Sequence, residues 1–273
     1  MTLSLTPYTE DSEISPMSIE LSLITVNYRS RHAFKKCLAS LTPQLTKENI
    51  SFEWLAANNS PEESLADLPA RTVYEGENVG FGAAINQAAR EARGEFLWLL
   101  NPDTEFLRGS ISEALGRARE KSPSVFGFSL QDERGNINIH DFGPDLTLAC
   151  WGVRKFLPNH LFFPGKTPAH VDWTSGASLL IPKKTFETIG GFDKRFFLYF
   201  EDRDLCLRAR SEAGASCFYD TSIAFRHSSG TSFAGNTKEQ KSHYYDSLLA
   251  YAEKHLTPGE RRFFEMLVRL KRI

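Results

Sequence analysis

Apolar positions along this chain fall into short continuous runs that alternate with stretches of helical periodicity. LSLITVN, starting at Leu21, is a buried strand by its pattern, and RHAFKKCLASL follows it with apolar residues at helical spacing. FEWLAA is a second strand ending at the turn cluster Asn58-Asn59-Ser60-Pro61. RTVYE is a third, leading through GENVGFG into AAINQAAREA, an alanine-rich helix closed by Gly94. FLWLL, bounded by Gly94 and Asn101-Pro102, is the fourth. This alternation predicts an α/β fold, a Rossmann-like, mostly parallel sheet flanked by helices, with ligands at the carboxyl ends of the strands. Those ends carry Asn27, Asn58, the loop from Asn78 to Gly82, and Asp103.

After about residue 120 the rhythm changes. FGFSL and NINIH are strand-like, the stretch from Phe142 to His170 is rich in Pro, Gly and aromatics, and ASLLIP is another strand. TFETIGG is helix-like, and CFYDTSIAF is a late strand. Two helices, EQKSHYYDSLLAYAEKHL and PGERRFFEMLVRLKRI, close the chain. No Gly/Ser/Pro linker separates the halves, which predicts one continuous unit over 19–236, preceded by a polar tail (1–18) and followed by a helical extension (237–273).

Composition narrows the function classes. With 41% hydrophobic and 24% charged residues and a net charge of -2, the chain is neither a disordered segment nor a nucleic-acid binder by charge. Its four cysteines, Cys37, Cys150, Cys206 and Cys217, share no metal-binding spacing and are expected to be reduced thiols of a cytoplasmic protein. The N-terminus lacks the pattern of a secretory signal, and no stretch reaches the roughly 18 apolar residues of a membrane span. The expectation is a soluble or peripheral protein.

Four local patterns carry potential chemistry. Asp103 in LLNPD stands just past a buried strand, where a phosphate or metal would bind, although N-P-D is also a turn. Gly80-Phe81-Gly82 before a helix lets backbone approach a phosphate. That loop partly mimics a dinucleotide fingerprint, but it follows the third strand and Ile85 replaces the last glycine, which argues against an NAD(P)-dependent oxidoreductase. His227, in RHSSG at a strand end, is a metal ligand partnered by a distant carboxylate, or else a surface or a hydrogen-bonded residue. FEDRDLCLR, from Phe200, starts a helix expected over 201–213. Asp202, Leu205, Cys206, Ala209 and Ala213 share its buried face, Glu201 lies at the border, and Asp204 and Arg208 form an i, i+4 pair on another side worth a few tenths of a kcal/mol. A carboxylate on a buried face needs a partner or a cavity, which singles out Asp202.

Taken in order, VNYRS, NNS, ENVGFGAAINQAAREARGEFLWLLNPD, WTSGASLLIPKKTFETIGGFDKRFFLYFEDRDLCLR and HSSGTS resemble the family 2 glycosyltransferases of the GT-A fold, in their rhamnosyltransferase-like bacterial group, over roughly residues 21 to 233. The resemblance implies inverting transfer of rhamnose or another hexose from a dTDP-sugar or UDP-sugar to a glycan or lipid-linked glycan, in surface-polysaccharide synthesis. It divides the chain into a nucleotide-binding half (19–120) and an acceptor and catalytic half (121–236). Asn27, Asn58, Asn78, Gly80, Asn86 and Asp103 would bind the nucleotide-sugar. Asp103, at the last position of a D-x-D-like motif, and His227 would hold Mg2+ or Mn2+. Asp202 would be the general base, with Glu201 its rival. Trp173, Ser175 and Gly176 would line the sugar and acceptor pocket, Trp173 being core on the alternative reading. Asn101 and Asn58 replace aspartates of the family pattern, so a non-catalytic nucleotide- or glycan-binding relative is the alternative. The basic amphipathic segment 258–273 suits the inner face of a membrane, the domain core or a partner subunit.

Overall fold

In the computed structural model residues 19–138, 140–156, 167–227 and 237–272 are described. Along the chain run β1 (Leu21–Asn27), α1 (Arg31–Lys47), β2 (Phe52–Asn58), β3 (Arg71–Glu75), α2 (Phe81–Glu91), β4 (Phe96–Leu100), β5 (Thr104–Arg108), α3 (Ile111–Glu120) and β6 (Val125–Gln131). They are followed by β7 (Phe142–Gly143), α4 (Leu148–Phe156), β8 (Ala169–Val171), β9 (Trp173–Thr174), β10 (Ser178–Pro182), α5 (Lys183–Thr188), α6 (Glu201–Ala213), β11 (Cys217–His227), α7 (Thr237–His255) and α8 (Pro258–Arg272).

One sheet runs in the order β3-β2-β1-β4-β10-β6-β11-β5, with β8 pairing β11 off that path. The first four strands are parallel, so Asn27, Asn58 and the Asn101-Pro102-Asp103 turn after β4 reach the same edge. β10 inserts antiparallel between β4 and β6. β11 then runs parallel to β6 and antiparallel to β5, its register setting His227 opposite Thr104. That pairing is what carries a residue from the end of the chain to the neighbour of Asp103.

Alternating strand side chains divide the core in two. On one face Trp98, Phe126, Phe128 and Phe225 pack toward α1 and α3, and on the other Ile24, Leu97, Leu99 and Leu179 pack toward α2, α5 and α6. A third apolar cluster joins Phe196 and Phe200 to Leu248, Tyr251 and Ala252 of α7 and to Phe264 and Val268 of α8, so the C-terminal helices close over the segment that precedes α6.

One sequence expectation of the fold is corrected. The start of NINIH is a hairpin return held by Asp132, which accepts from the Arg134 and Asn136 amides, and among the described residues its pairing is a single bridge, Ile137 with Gln131. The stretch from Phe142 contains helix α4 and the small β7–β9 ladder, elements too short to leave a periodic signature. Among the described residues no helix is long and apolar enough to cross a membrane.

Candidate active site

The carboxyl edge of the sheet, the loop after β9 and the start of α6 surround a cavity of about 520 Å3. At its base the Asp103 Oδ1 and His227 Nε2 atoms lie 3.3 Å apart, with both side chains nearly buried. Pro102 and a hydrogen bond from Thr104 Oγ1 to the Asn101 carbonyl (2.7 Å) fix the turn that presents Asp103. Burial pulls the imidazole pKa down, but the hydrogen bond and charge of Asp103, with the charge of Asp141, outweigh it and leave His227 above the ordinary histidine value. His227 Nδ1 is buried without a hydrogen-bond partner among the described residues.

The glycine loop forms the adjoining wall. Asn78 Oδ1 accepts from the Gly80 amide and from Asn59 Nδ2, each at 3.0 Å, and Asn59 Nδ2 also reaches the Gly80 carbonyl at 3.3 Å. Gly80 has φ +88°, and a Cβ there would meet the Phe197 carbonyl oxygen at 2.5 Å. That carbonyl accepts from the Phe81 amide at 3.0 Å, tying the loop to the FFLYF segment. Asn27 and Asn58 are fully buried behind this wall and bonded to each other at 2.9 Å. Asn58 also accepts from the Ser60 amide and donates to the Glu63 carbonyl and to Glu75 Oε1, so both of its amide hydrogens and both acceptor positions are engaged. Asn86 clamps Phe192 by exchanging two hydrogen bonds with its backbone, which holds α2 against the segment leading to α6.

The start of α6 lines the same cavity as Asp103. Tyr199 and Phe200 precede it with φ of 71° and 65°, a left-handed conformation that costs bulky side chains about 1–3 kcal/mol each. The strained turn lies between the apolar cluster at Phe196 and the first helical residues, Glu201 and Asp202, both of which line the cavity. Asp202 Oδ2 accepts from the Gly176 amide (3.2 Å) and Oδ1 from the Arg203 amide (2.8 Å). Glu201 is more deeply buried, 5% exposed, and its Oε2 has no partner among the described residues. Burial raises both carboxyls above their ordinary values. The charge of Asp202 adds to the rise at Glu201, while the Arg203 charge and the amide donors moderate Asp202.

The rest of α6 departs from expectation. Asp204 and Arg208 do not form a peripheral pair: Asp204 is fully buried and Arg208 8% exposed, because α7 covers that side of the helix. Asp204 receives Arg208 Nε at 2.7 Å and Lys254 Nζ at 2.5 Å, with His255 Nε2 at 2.7 Å. Burial would raise its carboxyl, yet these partners hold it at about 2. A periodicity that counts apolar residues cannot see a buried face built from ions.

Trp173 is 4% exposed, belongs to the core and also lines the cavity, with the Arg203 guanidinium 3.7 Å from its ring centroid. Ser175 donates its amide to the Asp141 carbonyl at 2.7 Å, and its hydroxyl accepts from the Ala177 amide at 3.2 Å. Sequence reasoning missed Asp141, Asn59, Arg203, and Gln240 and Tyr244 of α7, all on the cavity wall. Asp141 had one available signal, an acid shortly after a predicted strand. Asp141 is 8% exposed, and burial pushes its carboxyl up to about 7 despite the attraction of His227.

A mostly parallel sheet with a carboxylate-rich cavity at its carboxyl edge is the arrangement in which α/β proteins place a ligand site. Residues 22–148 match the family model described as Glycosyl transferase family 2. The chain is 26% identical over 271 residues to an N-acetylglucosaminyl-diphospho-decaprenol L-rhamnosyltransferase of Mycobacterium tuberculosis, covering 88% of this chain and 86% of the relative. It is 39% identical over 146 residues to the rhamnosyltransferase WbbL of Escherichia coli K12, covering 50% and 53% of the two chains. Among solved structures, GalNAc-T7 with UDP, GalNAc and Mn2+ superposes with a TM-score of 0.58 at 12% identity, over 77% of this chain and 44% of that longer one. Staphylococcus aureus TarS 1–349 gives 0.52 at 15% identity, over 88% and 74%. Residues 22–148 therefore carry a family 2 glycosyltransferase domain, and the relatives support a nucleotide-sugar-dependent glycosyltransferase with the GT-A fold.

Proposed function

We propose that this enzyme transfers a hexose, rhamnose or a related sugar, with inversion from a dTDP-sugar or UDP-sugar to a glycan or lipid-linked glycan of a bacterial surface polysaccharide. The observation that carries the reading is that Asp103 with His227, and Asp202 with Glu201, line one cavity. Inversion needs the acceptor oxygen to attack the anomeric carbon in line while its proton is removed. In this reading Asp202 takes that proton. Its position is set by the Gly176 and Arg203 amides, and its raised pKa makes it a better base than an ordinary aspartate.

The Asp103 carboxylate and the His227 imidazole, whose Nδ1 is buried without a hydrogen-bond partner among the described residues, are one oxygen and one nitrogen donor of the kind that fit a divalent cation such as Mn2+ or Mg2+. Among the described residues no group of three His, Cys, Asp or Glu side chains could hold a metal, so diphosphate oxygens and water would complete the coordination. A cation bound there supplies charge neutralisation to the leaving diphosphate. The Asn78–Gly80 loop packs close enough to the Phe197 backbone for diphosphate binding and α6 positioning to be coupled. Acceptor entry is proposed along Tyr199 and Tyr244, whose rings meet at 5.8 Å, beside Gln240, which donates to the Tyr199 hydroxyl.

The exposed Met266 and Leu270 lie among the exposed Arg262, Arg269 and Lys271 on α8, and this surface is proposed to rest on the inner, cytoplasmic face of a membrane carrying a lipid-linked acceptor. Co-sedimentation with phosphatidylglycerol vesicles tests it, and equal recovery of wild type and M266S/L270S would sink it. The enzymatic reading is tested by screening dTDP- and UDP-sugars, with Mn2+ or Mg2+, for thermal shift and for release of the nucleoside diphosphate. Failure to release the nucleoside diphosphate from any donor, with or without the metal, would favour a non-catalytic nucleotide- or glycan-binding relative, the alternative that Asn58 and Asn101 keep open.

A further inference from the structure

Asp141 is not used by the mechanism above, yet it is built into the site with care. Its backbone carbonyl takes the Ser175 amide at 2.7 Å, and the next residue, Phe142, pairs with Thr174 in the β7–β9 ladder. Its Oδ1 accepts from Asn138 Nδ2 at 3.1 Å, which fixes the plane of the carboxyl group. Oδ2 is buried, has no hydrogen-bond partner among the described residues, and belongs to a side chain that lines the cavity. A buried carboxyl oxygen without a donor is costly, and a rigid backbone keeps it from turning outward to water. Such an atom is satisfied by a donor that arrives with a ligand.

The surroundings indicate which part of the ligand. Asp141 lines the same cavity as His227 and Asp202 and feels the charge of both. On the proposed function, on which this inference rests, His227 marks the diphosphate end and Asp202 the acceptor proton. What lies between a diphosphate and an attacked anomeric carbon is the transferred sugar. A sugar offers hydroxyl donors and no positive charge, matching one open carboxyl oxygen.

We propose that Asp141 binds a hydroxyl of the transferred sugar and is a specificity-determining residue for the donor. Oδ2 accepts the hydroxyl hydrogen while Asn138 holds Oδ1, so a donor whose hydroxyl is absent or wrongly oriented leaves the buried oxygen unpaired. Rejection then follows from an unmet acceptor rather than from a clash.

The test uses the whole chain with Mn2+ and a panel of dTDP, UDP, dTDP-rhamnose, dTDP-glucose, UDP-glucose, UDP-galactose and UDP-N-acetylglucosamine. Dissociation constants are measured by calorimetry for wild type, Asp141→Asn and Asp141→Ala. For the best wild-type donor, the ratio of its constant to that of its free diphosphate is expected to rise about tenfold or more in both variants. The constant for the diphosphate itself is expected to stay within about twofold, which also shows that the variants are folded. An unchanged ratio overturns the proposal, as does a parallel loss of diphosphate and donor binding, which would place Asp141 at the cation end. Wild type that binds no member of the panel overturns the proposed use of a dTDP-sugar or UDP-sugar donor, and this assignment falls with it.

Discussion

The Gly176 amide donates to Asp202 Oδ2 at 3.2 Å, joining the loop after β9 to the first turn of α6. A Cβ at Gly176 would come within 3.1 Å of the Phe81 ring and 3.8 Å of Asp202 Cβ, so loop, glycine helix and the proposed base are packed as one unit. The bond favours the ionised carboxylate, opposing the burial that raises its pKa.

Asp202→Asn is expected to lower the transfer rate by about 10²–10⁴-fold while the nucleoside diphosphate still binds. Transfer assays paired with calorimetry check this, and turnover close to wild type would move the role to Glu201. Because the pKa of Asp202 is raised and a base must be ionised, the acid limb of the pH–rate profile is expected above the ordinary aspartate range.

Asp204→Asn is expected to destabilise the fold by about 3 kcal/mol, since it leaves the buried Arg208 and the partly buried Lys254 without their shared carboxylate. Urea unfolding gives the number. With its folded pKa at about 2 against 3.8, Asp204 contributes stability at and above pH 3.8 that fades as pH falls toward 2. Wild type should therefore converge on the variant in acid.

Asp141 has the opposite sign. Its folded pKa is about 7 against 3.8, so the folded chain holds the proton more tightly, and the resulting stability is full below pH 3.8 and lost as pH rises toward 7. Asp141→Asn should gain midpoint relative to wild type over that interval in thermal unfolding. Parallel curves would show that the group titrates normally.

Gly80→Ala is expected to cost at least about 1–2 kcal/mol and to weaken donor binding, because its positive φ and the Phe197 carbonyl leave no room for a methyl group. Gly116→Ala is the control: it sits exposed in α3 with nothing within 4 Å and should stabilise by up to about 1 kcal/mol. Urea midpoints of the two variants should move in opposite directions.

His227→Ala is expected to raise the Mn2+ concentration needed for half-maximal diphosphate binding by about tenfold or more, and EDTA should abolish the wild-type thermal shift. A metal-independent diphosphate affinity in wild type would remove the cation from the proposal.

The alternation of apolar runs and helical periods determined the β1 to β4 half of the sheet and helix α6, whose bounds at Glu201 and Ala213 were legible because apolar side chains repeat at the element's own period. Ordered motifs likewise pointed to Asp103, Asp202 and His227, all on the cavity wall. Tertiary structure alone decided that His227 faces Asp103, since β11 reaches that edge by pairing with β5 more than a hundred residues earlier in the chain. It also decided that Asp204 and Arg208 are interior, because their burial depends on α7 folding back with Lys254 and His255. Asp141 belongs with them. Its place in one cavity with His227 and Asp202 is a product of long-range register, and a local pattern records only the period of its own segment.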